Sequence, residues 1–201
     1  MRLLTLLAAA SGPASALYLP RAEHTSQAPL VQDALYDGHC FYPKPTPHFN
    51  LTAYLGTWYQ VAGTPFGPTA GARCVTAQYS LNPNGTVKVV NTATIGPQGI
   101  SIEGTATPVD SVYGAAGTFE VAFPQTPSGA ECPGPNYIVQ EYCGDHAFVQ
   151  TQNWSTLYIL SRERHPAPVA VDMSPPQAWI DRAVALGSER GRISRFNQTG
   201  C

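Results

Sequence analysis

The sequence predicts an all-β protein: an eight-stranded antiparallel up-and-down β-barrel with one C-terminal α-helix packed outside. Three observations carry that prediction. From Trp58 to Arg162 the chain alternates apolar and polar residues in short runs, the period-two pattern of half-buried strands. Clusters of Gly, Pro and Asn separate those runs at regular spacing, as the turns of a meander require. A single stretch of helical period follows the last run.

The strands are expected at 57–63, 72–81, 86–95, 99–109, 117–124, 136–142, 146–152 and 155–162. Asn84-Gly85 supplies the positive φ values of a tight hairpin turn and so pairs the second and third runs. A meander of about eight strands can close on itself, which removes its edges and encloses room for one small ligand. Beyond the barrel, Ser174 is placed to cap a helix, Pro175 suits the first helical position and Gln177 completes a capping box. Trp179, Ile180, Ala183 and Val184 then share one face, and Gly187 suits the C-terminal stop. Residues 188–201 read as a short tail.

The N-terminus carries Arg2, an apolar stretch from Leu3 to Ala10 and a small-residue site at Ala14-Ser15-Ala16. This is the pattern of a secretory signal peptide over residues 1–16, and the apolar stretch is too short to span a membrane. The mature chain is expected to be secreted and extracellular. Residues 17–45, rich in Pro, His and small polar residues without a sustained period, read as an extended arm. Residues 46–201 hold the barrel, helix and tail as one domain.

The chain has a net charge of −2 at pH 7 and no basic patch, so nucleic acid is not an expected partner. Five cysteines, Cys40, Cys74, Cys132, Cys143 and Cys201, lie beyond the signal, and in an oxidising compartment disulfides are the default reading. The odd count leaves one thiol over. A zinc site is the rival for Cys143 and nearby His146, but no paired C-x-x-C or H-x-H supports it, and no metal is assigned. Asn50, Asn84, Asn153 and Asn197 each open an N-x-S/T acceptor for glycosylation in a eukaryotic host. Asn84, at a predicted turn tip, is the best exposed.

The segment Phe49-Asn50-Leu51-Thr52-Ala53-Tyr54-Leu55-Gly56-Thr57-Trp58-Tyr59 resembles the start of a lipocalin. There a short helical turn enters the first strand through G-x-W-Y. Gly56 permits the tight turn, and Trp58 plugs the closed end while stacking on an arginine from the last strand, matched here by Arg162 in Ile159-Leu160-Ser161-Arg162. Gly71 to Leu81 and Ile102 to Val109 look like the branch that holds apolipoprotein D and its bacterial outer-membrane relatives. The resemblance covers roughly residues 46 to 190. It departs where the family usually has T-D-Y and this chain reads Glu141-Tyr142-Cys143.

The resemblance implies a carrier of a small hydrophobic ligand, such as a lipid, sterol or isoprenoid, with no cofactor. It also implies a bridge between Cys74 and Cys201, and points Cys40 towards Cys143 or Cys132. Tyr79, Asn91 and Tyr158 match positions that line the cavity of that branch, and the strand period adds Val89, Ala77, Phe119, Val121 and Phe123. The alternative is a lipocalin-like enzyme, an isomerase or cyclase, with Tyr79, Tyr158 and Glu103 as acid or base groups. The mature chain has no G-x-S-x-G, H-E-x-x-H or phosphate loop, and His24, His39, His48, His146 and His165 fall mostly in the arm and loops. A filled barrel serving as an interaction module is the third reading. Transient contact with a membrane or receptor, and a monomer or weak dimer, complete the expected partners.

Overall fold

The computed structural model describes residues 34–65, 70–109, 111–114, 116–124, 131–164 and 177–201. The signal at 1–16, the first part of the arm, His24, His165, Ser174 and Pro175 lie outside the described residues.

Eight antiparallel strands form the barrel: β3 (Gly56–Gly63), β4 (Arg73–Leu81), β5 (Val87–Ile95), β6 (Gln98–Pro108), β7 (Thr118–Ala122), β8 (Tyr137–Tyr142), β9 (His146–Gln150) and β10 (Leu157–Ser161). Each pairs with the next, and β10 pairs back onto β3 with Tyr158 opposite Gly63 and Ser161 opposite Tyr59, which closes the sheet and removes its edges. The eight runs read from the sequence are these strands, trimmed by a few residues where alternation continues into turns.

At the β4–β5 hairpin the expectation of two positive φ values is corrected: Gly85 has φ +83°, while Asn84 is not left-handed. The loop spans three residues between Asn82 and Thr86, whose backbones bond at 2.8 Å. One glycine in the left-handed region then suffices. Asn84 Oδ1 instead accepts from the Thr86 amide and hydroxyl.

Before the barrel, β1 (Ala34–Tyr36) and β2 (Phe41–Pro43) form a small hairpin. It lies within the segment whose composition reads as an extended arm. Its anchor is Tyr42, which is fully buried with Cys40 and Ile138. Strands of three residues are too short for alternation to reveal. A single helical turn, α1 (Leu51–Tyr54), then enters β3, with Asn50 Oδ1 accepting from the Ala53 amide as its cap.

After the barrel, α2 (Gln177–Ala185) lies on the outer face. Ile180 and Ala183 pack there with Val61, Ala62, Phe148, Leu157 and Ile159. Gly187 (φ +107°) ends the helix in a paired cap, its amide bonding Val184 O and the Ser188 amide bonding Ala183 O, both at 3.0 Å. A side chain at Gly187 would meet the Trp154 indole at 2.5 Å.

The tail does more than trail. β3 and β4 pair only from Gly56–Tyr79 to Tyr59–Thr76, and β11 (Ser194–Arg195) adds to β3 beyond that point. Phe196 N bonds Val61 O, Cys74 N bonds Asn197 O, and Gln198 Nε2 bonds both Gln60 O and Val75 O at 2.9 Å. The tail therefore fills the gap between two diverging strands, and Cys201 locks it to Cys74.

The second bridge joins Cys40 to Cys132. The assignment of Cys143 to a disulfide is corrected: Cys143 is free and exposed. It sits in the β8–β9 turn at the end of the barrel next to Arg162, whose amide bonds Asp145 O at 2.8 Å. Cys40 lies with Ile138 and Cys132, on the far side of β8.

Candidate functional site

At the closed end, Trp58 is fully buried and donates from Nε1 to Tyr54 O at 2.8 Å. Arg162 Cζ lies 3.8 Å from the centre of its ring. The guanidinium also donates to the carbonyls of Thr57 (2.9 Å), Ala53 (2.7 Å) and Leu55 (2.9 Å). These are the carbonyls at the end of α1 and the start of β3; that of Ala53 also accepts from the Tyr142 hydroxyl at 3.2 Å. Gly56 has φ +97°, and a side chain there would meet Arg162 at 3.4 Å. The motif thus places Gly56, Trp58 and Arg162 together at the base of the barrel.

Above that base lies a layer of tyrosines. Tyr137 OH bonds Tyr54 OH at 2.7 Å and Tyr79 OH at 2.9 Å. Tyr158 stacks on Tyr137 with ring centres 6.4 Å apart. Burial is the main reason that all four phenols hold their protons more tightly than usual, Tyr158 up to about 12. They therefore act here as neutral hydrogen-bonding groups.

The residues expected from the resemblance and from strand period lie on this interior face. Ala77, Tyr79, Val89 and Phe119 belong to its buried core, with Val121, Phe123 and Tyr158 packed half-buried against it. Phe123 lies over Gly104, where an added Cβ would sit 2.5 Å from the ring and from Ala122 O, so only glycine admits that approach. Asn91 faces Ala77 across the sheet, and its Oδ1 is buried without a partner.

Sequence reasoning missed Tyr54, Tyr137, Val87, Ala106, Val139 and Val149, which share the interior. Alternation on β8 does signal Tyr137, but Tyr54 sits on a helical turn that strand period cannot place. Glu103 is corrected as an interior acid or base: it pairs with Lys88 at 2.8 Å on the solvent side, opposite in parity to Gly104. Within the described interior, the open space between Leu51, Tyr54, Tyr79, Val87, Ala106, Phe119, Val121 and Tyr137 is about 10 Å³, room for a single water. A larger cleft of about 790 Å³ lies outside the barrel, bordered by the β1–β2 hairpin, Val112, Tyr113 and Trp154. The smaller space is the one enclosed by the family motif and the strand faces.

The four glycosylation acceptors, Asn50, Asn84, Asn153 and Asn197, are exposed. Asn153 is already engaged: Oδ1 accepts from Phe41 N at 2.8 Å. Burial and the carboxylates of Glu141 and Asp145 push the Cys143 thiol up.

A closed antiparallel barrel with a Trp–Arg base, a lined interior and one external helix defines the class of small ligand-enclosing β-barrels. The chain belongs to the lipocalin family: residues 49–173 match the lipocalin-like domain. Temperature-induced lipocalin-1 of Arabidopsis thaliana is 36% identical over 158 residues, covering 75% of this chain and 80% of that protein. Apolipoprotein D of Bos taurus is 37% identical over 76 residues, 37% of this chain, and the chain spans only 40% of that protein's length. Among solved structures, the cockroach allergen Per a 4 superposes with a TM-score of 0.57 at 18% identity, over 82% of this chain and 98% of that one. That likeness shows the fold.

Proposed function

We propose that this lipocalin binds and carries a small hydrophobic ligand in the upper part of the barrel, above the Tyr54–Tyr79–Tyr137 layer. The observation that carries the reading is the buried, unpartnered Asn91 Oδ1, on the face of β5 that also carries the core residues Val87 and Val89. An unpaired carbonyl of this kind costs about 1–3 kcal/mol, and a ligand hydroxyl offered to it recovers that cost. Apolar walls with a few placed polar groups suit lipids, sterols or isoprenoids. With about 10 Å³ of open space, a ligand enters by rotating Phe123 and Tyr158, rings that are half-buried against the interior. The N-terminal signal pattern and two disulfides support secretion, with glycans at the exposed acceptors.

The small open space also favours a second reading, a filled barrel acting as an interaction module. Native mass spectrometry of the secreted protein, followed by organic extraction, separates them. One intact lipophile per barrel is expected. An altered product on incubation makes the chain an enzyme, and a barrel that neither retains nor takes up a lipophile leaves the interaction module.

A further inference from the structure

We propose that Glu141, Cys143 and His146 form a binding site for a zinc-like divalent cation at the closed end of the barrel, distinct from the interior. The hairpin brings them together: Glu141 is the last residue but one of β8, His146 begins β9 and Cys143 lies in the turn between. One donor atom from each residue lies within 4.8 Å of the others. Tetrahedral zinc with Zn–S near ~2.3 Å and Zn–N near ~2.0 Å requires such groups to close by about 1 Å, a movement open to Cys143, which is exposed in the turn. Thiolate, imidazole and carboxylate together are the donor set that zinc accepts in three-ligand sites, with water in the fourth position.

The surroundings are those of a ligated histidine. His146 Nδ1 bonds Asp145 Oδ1 at 2.8 Å, the carboxylate–histidine arrangement that fixes the tautomer and presents Nε2 to a metal. Its ring stacks on Trp179 from α2, centres 4.5 Å apart and 25° from parallel, which limits its rotation. Arg182 Nε holds Glu141 Oε2 at 2.7 Å, leaving Oε1 as the ligand atom. With Cys143 as thiolate, its proton released to solvent on binding, the carboxylates of Glu141 and Asp145 outweigh Arg182 by enough charge to neutralise a divalent cation. No C-x-x-C or H-x-H announces the site, because its ligands read E-x-C-x-x-H across the β8–β9 turn.

The test is titration of the full-length, disulfide-intact protein with Zn²⁺ by calorimetry in buffers of different ionisation enthalpy, and with Co²⁺ by absorption. One ion per chain is expected, with proton release and a thiolate-to-cobalt charge-transfer band. Cys143→Ser and His146→Gln each weaken binding at least about tenfold, and Asp145→Asn, which removes no ligand, weakens it about tenfold. Near-UV circular dichroism checks that the variants keep the fold. Absence of the band, or affinity unchanged in Cys143→Ser and Asp145→Asn alike, overturns the proposal. Affinity lost on replacing His39 and His48 instead would place the ion on the arm and overturn it equally.

Discussion

Replacing Arg162 with alanine removes three hydrogen bonds to backbone carbonyls and the cation over Trp58. A hydrogen bond from a charged donor contributes about 1.5–3 kcal/mol net, and a cation–π contact about 0.5–2 kcal/mol. The full sum does not apply, since Arg162 is half-exposed and the carbonyls of Ala53, Leu55 and Thr57 regain water when it leaves. A loss of about 3–5 kcal/mol remains, because the buried Trp58 face also loses its cover. Urea unfolding with the disulfides intact measures it, as a midpoint lower by about 2 M at unchanged slope. Arg162→Lys keeps the charge but lacks the planar fork that reaches several carbonyls at once, and recovers less than half of the loss. A cost below about 1 kcal/mol for alanine, or full recovery by lysine, refutes the assignment of this arginine as the clasp of the closed end.

Tyr137→Phe leaves the hydroxyls of Tyr54 and Tyr79 without the partner they share, and destabilises by about 2–4 kcal/mol in the same assay. Asn91→Leu removes a buried carbonyl that has no partner; stability holds or rises by about 1 kcal/mol, while affinity for the extracted lipophile falls about tenfold. If affinity also holds when Asn91→Leu is combined with Tyr158→Ala, the ligand lies elsewhere. Asp37 is held down to about 2 chiefly by the Cys40 amide, with further hydrogen bonds from His39, Tyr42 and Tyr113. A lowered carboxylate stabilises the fold above its ordinary value of 3.8, and that part is lost as pH falls through about 2. Asp37→Asn should remove this acid-dependent part from the stability profile of the hairpin, read by hydrogen exchange at Cys40. Cys201→Ser frees the tail wedged between β3 and β4 and costs about 2–4 kcal/mol, with early exchange at the Cys74 amide.

Much of the architecture was legible because strand formation is a local property of alternation. Val87, Val89 and Asn91 point one way along β5 and Lys88 the other, whatever the rest of the chain does. The Trp58–Arg162 pair was legible by resemblance, and the structure shows what the arginine does there: Arg162 ties the carbonyls of Ala53, Leu55 and Thr57 while covering the Trp58 ring. The short β1–β2 hairpin was not legible, because three residues carry no period and its anchors are tertiary: Tyr42 buried against Ile138, the Cys40–Cys132 bridge and the bond from Phe41 N to Asn153.

What the sequence determined by itself is therefore the set of eight strands, the face each presents to the interior, and the external helix with its glycine stop. What only the tertiary structure decided are contacts between residues far apart in the chain. Cys40 meets Cys132 and not Cys143 because the hairpin packs beside Ile138. Tyr54, on a helical turn, bonds Tyr137 across the barrel. The tail enters the sheet between β3 and β4 because those strands diverge after Tyr59. Alternation reports which way a side chain points, and closure of the barrel determines what it meets there.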